Sequence, residues 1–155
     1  MAAGTWKMFN NAKLKLGQGT MALSGAFRMA LFTSASNLKT AASAKPLILV
    51  QSVTNQIADG NGYSTSGKSV PNEAWAAANA STMHFDFTAT GLKWSANGGT
   101  IAAIRYAAIF QSAAASANSF MLCYVTLTTS PLTLADTNTL TIKPSASGIF
   151  TLGGM

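Results

Sequence analysis

Residues Gly62-Tyr63-Ser64-Thr65-Ser66-Gly67-Lys68-Ser69 match the phosphate-binding pattern G-x-x-x-x-G-K-[ST] letter for letter. In such a loop the glycines let backbone N–H groups wrap phosphates, and the lysine reaches the outer phosphates. A helix beginning at the loop points its positive end at them. The chemistry therefore needs a strand running into the loop and a helix leaving it. Here QIADGN precedes the loop with no strand-forming run, and Pro71 is followed by NEAWAAANA, a weak crossover helix. No later run of four apolar residues ends in an Asp that could hold magnesium, since Asp86 lies inside an alternating strand and Asp136 follows a loop. The context predicts a flexible loop leading into a strand, with no nucleotide cofactor.

The other reactive residue types are few and scattered. His84 is the single histidine, and on an alternating strand it shares a face with Asp86. A base-and-orienter pair would also need a nucleophile on the far side of the ring, and no nucleophile elbow is present. The pair is expected on a solvated strand face. Asp59, Glu73, Asp86 and Asp136 are the only acids. They give neither the paired carboxylates of glycoside hydrolysis nor the spaced ligands of a calcium loop. Cys123 is the single cysteine, so an intrachain disulfide is excluded and a cysteine-based zinc site is not expected. It sits in an apolar strand and is expected to be a buried small hydrophobe. No catalytic residue, cofactor or metal site is assigned, and the chain is not expected to be an enzyme.

Contact residues are easier to nominate. Charged residues make up 9% of the chain, against a usual ~25%, while hydrophobic residues make up 48%. A protein so poor in charge is expected to have much of its surface covered by partners. The net charge of +6 arises from four acids set against ten lysines and arginines. The one basic cluster, Lys7, Lys13 and Lys15, suits an acidic protein surface, and nucleic acid is not the expected partner. Trp6 and Trp75 join these lysines as candidate interface residues, because tryptophan is enriched at contacts. Trp94, just before a turn, is assigned to the core. The N-terminal residues lack a basic start followed by an apolar run, and no apolar run approaches the ~20 residues of a membrane span.

The elements that must carry these residues read as follows. The 155 residues suit one domain, divided into a helix or arm over 1–19 and a β-rich body over 20–155. Over 5–16 the spacing of Trp6, Phe9 and Lys13, with Met8, Ala12 and Leu16 beside them, fits a short amphipathic helix ended by Gly17 and Gly19. It either caps the sheet or reaches a neighbour, and as an arm its removal would weaken docking more than folding. Alternation predicts strands over 26–33, 82–88 and 138–143. Residues 34–45 read as a loop or short helix, LILVQSV as a short buried run, and 72–80 as a helical turn or loop. After LKW, Asn97-Gly98 is a hairpin signal. Residues 100–110 and 119–128 are apolar on both faces and form a long hairpin turning at 113–118. Pro144 to Gly148 turns the chain into a last short strand, IFTL. The fold class is all-β and mainly antiparallel, a sandwich or jelly-roll-like barrel of six to eight strands behind a short helix.

The order of these pieces resembles small β-rich virion proteins of tailed bacteriophages. Those open with a helix ending in K-x-x-L-G-x-G, here Lys13 to Gly19. A strand then ends in L-F/L-T-S, here Leu31-Phe32-Thr33-Ser34, before a G-Y-x-x-x-G-x-x-V loop, here Gly62, Tyr63, Gly67 and Val70. Phe85-Asp86 with Trp94, the Arg105-Tyr106 pair and Gly148-Ile149-Phe150 follow in order. The resemblance implies a structural role in the virion, made in the host cytoplasm: a capsid decoration or cement protein that bridges major capsid protein subunits and self-associates on the shell. A minor tail or head-completion protein is the alternative.

Overall fold

The computed structural model describes residues 4–22, 26–43, 52–79, 82–112, 119–145 and 148–153. Among them the chain forms eleven strands and two helices, arranged as three antiparallel sheets with no sheet closed into a barrel. The mainly antiparallel, sandwich-like reading of the sequence holds, and its barrel variant does not.

The spine is β7 (Ile101–Gln111). One side pairs with β2 (Phe27–Thr33), from Phe27↔Gln111 to Thr33↔Ile104. The other side pairs with β8 (Met121–Thr126) and, nearer the start of β7, with β9 (Leu132–Leu134). Ala107, Ala108 and Ile109 are fully buried, as are Leu122, Cys123 and Val125. Both faces of these strands are covered, which is why their sequences lack alternation. Two short strands flank the set. β1 (Lys7–Met8) lies on β8, and β3 (Lys68–Ser69) lies on β2, giving the order β1-β8-β7-β2-β3. The long hairpin is present as β7–β8; its turn lies outside the described residues.

A second sheet has the order β11-β5-β4, from β4 (Ala74–Asn79), β5 (Thr82–Asp86) and β11 (Phe150–Gly153). β6 (Leu92–Ser95) pairs with β10 (Thr139–Ile142). Phe27 of β2 meets Phe85 of β5 edge-on, with centroids 5.3 Å apart, and joins the second sheet to the first. The helices are α1 (Asn10–Gly17) and α2 (Leu38–Ser43). Gly19, at φ 66°, follows α1 in the left-handed conformation of a helix stop.

Four expectations need correction. Residues 72–80 hold strand β4, although AWAAAN is rich in helix-favouring alanine; pairing with β5 overrides that propensity. The Asn97-Gly98 turn joins no hairpin, because β6 pairs with β10 while β7 belongs to the main sheet. The Asp136 carboxylate accepts the Gly98 N–H at 3.0 Å and fixes a corner between sheets instead. The N-terminal helix begins only at Asn10; Lys7 and Met8 before it are extended and pair with Tyr124 and Cys123. The loop at 59–69 is firmly tied down, as described below. The LILV run and residues 80–81 lie outside the described residues.

Candidate functional site

The phosphate-loop pattern is absorbed into sheet architecture. Lys68 and Ser69, where a helix would have to start, form β3 and pair with Met29 and Arg28. A Cβ on Gly67, at φ 70°, would stand 2.7 Å from the Met29 carbonyl oxygen. A Cβ on Gly62, at φ 84°, would strike the Ser95 carbonyl oxygen. The two glycines thus serve close backbone packing. The Lys68 ammonium donates to the Lys93 carbonyl at 2.6 Å and lies over the Trp94 ring. Arg28 clamps the loop from β2, its Nε donating to the Ser66 carbonyl at 2.6 Å and its guanidinium to the Gly67 carbonyl at 2.7 Å. The Tyr63 hydroxyl accepts the Leu31 N–H at 3.0 Å, and burial pushes its pKa up. The Asp59 carboxylate accepts from the Thr65 N–H and hydroxyl, which holds its pKa below the usual value. A cleft of about 370 Å³ beside Asp59 is lined by Gln56, Asn61 and Thr100. Its two side-chain amides are already engaged: Gln56 donates to the Thr65 carbonyl, and Asn61 donates to the Thr100 carbonyl.

His84 and Asp86 make no hydrogen bond to each other. Asp86 accepts the Phe87 N–H at 2.8 Å. His84 is half-buried rather than fully solvated, and its Nδ1 is sealed with no hydrogen-bond partner. Cys123 is fully buried, and burial pushes its thiol well above the usual pKa. Among the described residues no group of three or more His, Cys, Asp or Glu could hold a metal ion. Among them, too, no helix is long and apolar enough to cross a membrane.

The larger cleft, about 630 Å³ and open to solvent, lies at the other edge of the main sheet. β1 supplies Trp6 from its approach, with Lys7 and Met8. α1 supplies Asn10 and Lys13, α2 supplies Lys39, Ala42 and Ser43, and Tyr124 and Phe150 complete the lining. The Asn10 amide donates to the Ser43 carbonyl at 3.4 Å and links the two helices. The ammonium groups of Lys7 and Lys39 make no hydrogen bond or ion pair among the described residues, and that of Lys13 reaches only the Asn10 amide oxygen at 3.5 Å. None of the four acids lines this cleft, so its field is set by three ammonium groups above a partly aromatic lining. Leu14, at 53% exposure the one large exposed hydrophobic residue among those described, is next to Lys13 on the outer face of α1.

No family model matches the sequence, and no curated protein or solved structure matches it either.

The five nominated contact residues fall in three places. Lys7 and Lys13 meet in the cleft with Trp6 beneath them, but Trp6 is only 8% exposed and belongs to the core with Phe9 and Ala12. Lys15 turns away, its ammonium 5.8 Å from the Phe120 ring centroid. Trp75 is half-buried on β4 and packs against Phe150 at 5.9 Å. Lys39 was missed. It sits in a small polar stretch with no spacing that ties it to the N-terminal lysines, and only the packing of α1 on α2 brings it there. Leu14 was missed because its neighbours at helical spacing are mixed in polarity.

Proposed function

We propose that this chain is a non-enzymatic structural subunit that docks onto an acidic protein surface through the lysine-lined cleft, as a decoration protein on a tailed-phage capsid. The observation that carries the docking reading is the set of Lys7, Lys13 and Lys39 around one open cleft with no carboxylate among its lining residues. Unpaired like charges raise the potential of a concave surface and speed the encounter with an opposite one. Leu14 adds an apolar contact beside the charges. The virion address rests on the ordered resemblance of the sequence pieces, and the low charge content agrees with a surface that is largely covered on assembly.

Gel densitometry of purified virions tests the address. A decoration protein is present in numbers comparable to the major capsid protein, whereas a handful of copies per particle would move it to the tail or connector. Shells lacking the protein test the surface. They should capture the unaltered chain and fail to capture Lys7→Glu/Lys13→Glu/Lys39→Glu, whose thermal melt should be unchanged.

A further inference from the structure

The cleft lies where two sheets end. β1 is one of the two edge strands of the main sheet, and β11 is one of the two edge strands of the second. Both contribute to the lining, β1 through Lys7 and Met8 and β11 through Phe150. The inner side of the β1 segment is satisfied over a longer run than its two strand residues. Gly4 donates to the Thr126 carbonyl, Lys7 and Met8 pair with Tyr124 and Cys123, and Phe9 donates to the Leu122 carbonyl. Residues 4–9 therefore follow β8 from Thr126 to Leu122, about 13 Å at roughly 3.3 Å per residue. Their outer side pairs with no strand among the described residues. An unpaired strand edge is a template for another strand.

Resting on the docking reading, we infer that the cleft takes an extended acidic segment of a different protein, which adds as a strand to the outer edge of β1. Successive side chains of an added strand point to opposite faces. Acids at every second position would then gather on one face, toward Lys7, Lys13 and Lys39. The alternate residues would turn toward the apolar lining of Met8 and Phe150. The segment cannot come from another copy of this chain, because Asp59, Glu73, Asp86 and Asp136 are too far apart in sequence to give two acids on one short strand. Nucleic acid could satisfy the lysines, but it offers no main-chain amides to the β1 edge.

The probe is a synthetic alternating Glu-Val peptide of about ten residues, enough to span the edge, titrated into the full chain by calorimetry. Three changes should each weaken binding about tenfold or more: Gln in place of every Glu, N-methylation of the peptide backbone, and Lys7→Glu/Lys13→Glu/Lys39→Glu in the protein. The peptide arms use the unaltered chain, so they decide the matter even if the triple variant folds poorly. Absence of binding by the Glu-Val peptide overturns the inference. Equal binding of the N-methylated peptide overturns strand addition while leaving charge-driven docking intact. An oligothymidylate that binds more tightly than the peptide and displaces it reassigns the cleft to nucleic acid. Shells that capture the chain despite a failed peptide arm would leave the proposed function standing without this mode of contact.

Discussion

The main sheet has two flanks, and the chain finishes them in opposite ways. Along β2 nearly every outward main-chain group is occupied. Val70 donates to Phe27, β3 covers Arg28 and Met29, the Tyr63 hydroxyl and the Ile57 N–H take Leu31, and Thr33 donates to Asn55. Along β1 the inner side is paired and the outer side faces a cleft with unpaired lysines. Even the lysines differ, since the Lys68 ammonium is bonded to a carbonyl while the Lys7 ammonium has no partner among the described residues. Sheet edges invite association. Each flank ends in a two-residue strand, β3 on one side and β1 on the other, and what differs is the setting: β3 belongs to a loop tied down by side-chain hydrogen bonds, whereas β1 borders the lysine-lined cleft.

The most severe way to break this contrast is to remove residues 4–9, which strips β1 from β8 and empties the sites of Trp6 and Phe9. Truncating a buried Phe or Trp costs about 3–5 kcal/mol each, against a total stability of about 5–15 kcal/mol. The expected outcome is loss of the cooperative transition in calorimetry. The accessible flank is thus accessible only outward, and a shortened chain that still melted cooperatively would show the segment to be a detachable arm after all. Next comes Gly67→Ala, which puts a Cβ against the Met29 carbonyl and forces φ 70° on an L-residue. A loss of about 2–4 kcal/mol is expected in urea denaturation, with faster exchange of the Leu31 amide; an unchanged midpoint would mean that the closed flank is loosely held.

The sequence spoke clearly where apolar character is continuous or alternates, and less clearly where pairing comes from far away. The β7–β8 hairpin and β10 were legible because their side-chain pattern follows directly from which faces are covered. β4 was not, because alanine favours a helix until β5 supplies a partner. The partner of β6 was not legible either, since Asn97-Gly98 is a local signal and β10 lies more than forty residues beyond it. That the phosphate-loop pattern leads into a strand rather than a helix was readable from its flanking residues. What the loop does instead was hidden, because Gly67 answers to Met29 and Lys68 answers to Lys93, contacts that no local spacing encodes. Half of the cleft was visible in Lys7 and Lys13; Lys39 arrives through helix packing.

Smaller effects sharpen the comparison between the two flanks. Lys68→Ala removes a hydrogen bond and a cation–π contact and should cost about 1 kcal/mol, whereas Lys7→Ala should fall within about 0.5 kcal/mol. Equal costs for the two variants in the same denaturation series would erase the distinction between a tied and a free lysine. The smallest effect concerns Asp59, whose carboxyl is held below its ordinary pKa of 3.8 by the Thr65 N–H and hydroxyl. A group with a depressed folded-state pKa contributes fully above its unfolded value and loses that contribution as pH falls through the folded one. Acidification below about pH 3.8 should therefore speed exchange of the Thr65 amide, and Asp59→Asn should flatten that response while leaving the fold at neutral pH unchanged.

The pairing of Lys7 with Tyr124 also sets a clock on synthesis. The β1 segment is made before its partner: β8 follows on the order of a hundred residues later, which at ~5–20 residues per second is roughly 5–20 s of translation. Throughout that interval Trp6, Met8 and Phe9 have no strand to lie on. The nascent chain must carry this apolar segment unsatisfied until β8 emerges, an interval in which incompletely folded chains are open to association with one another.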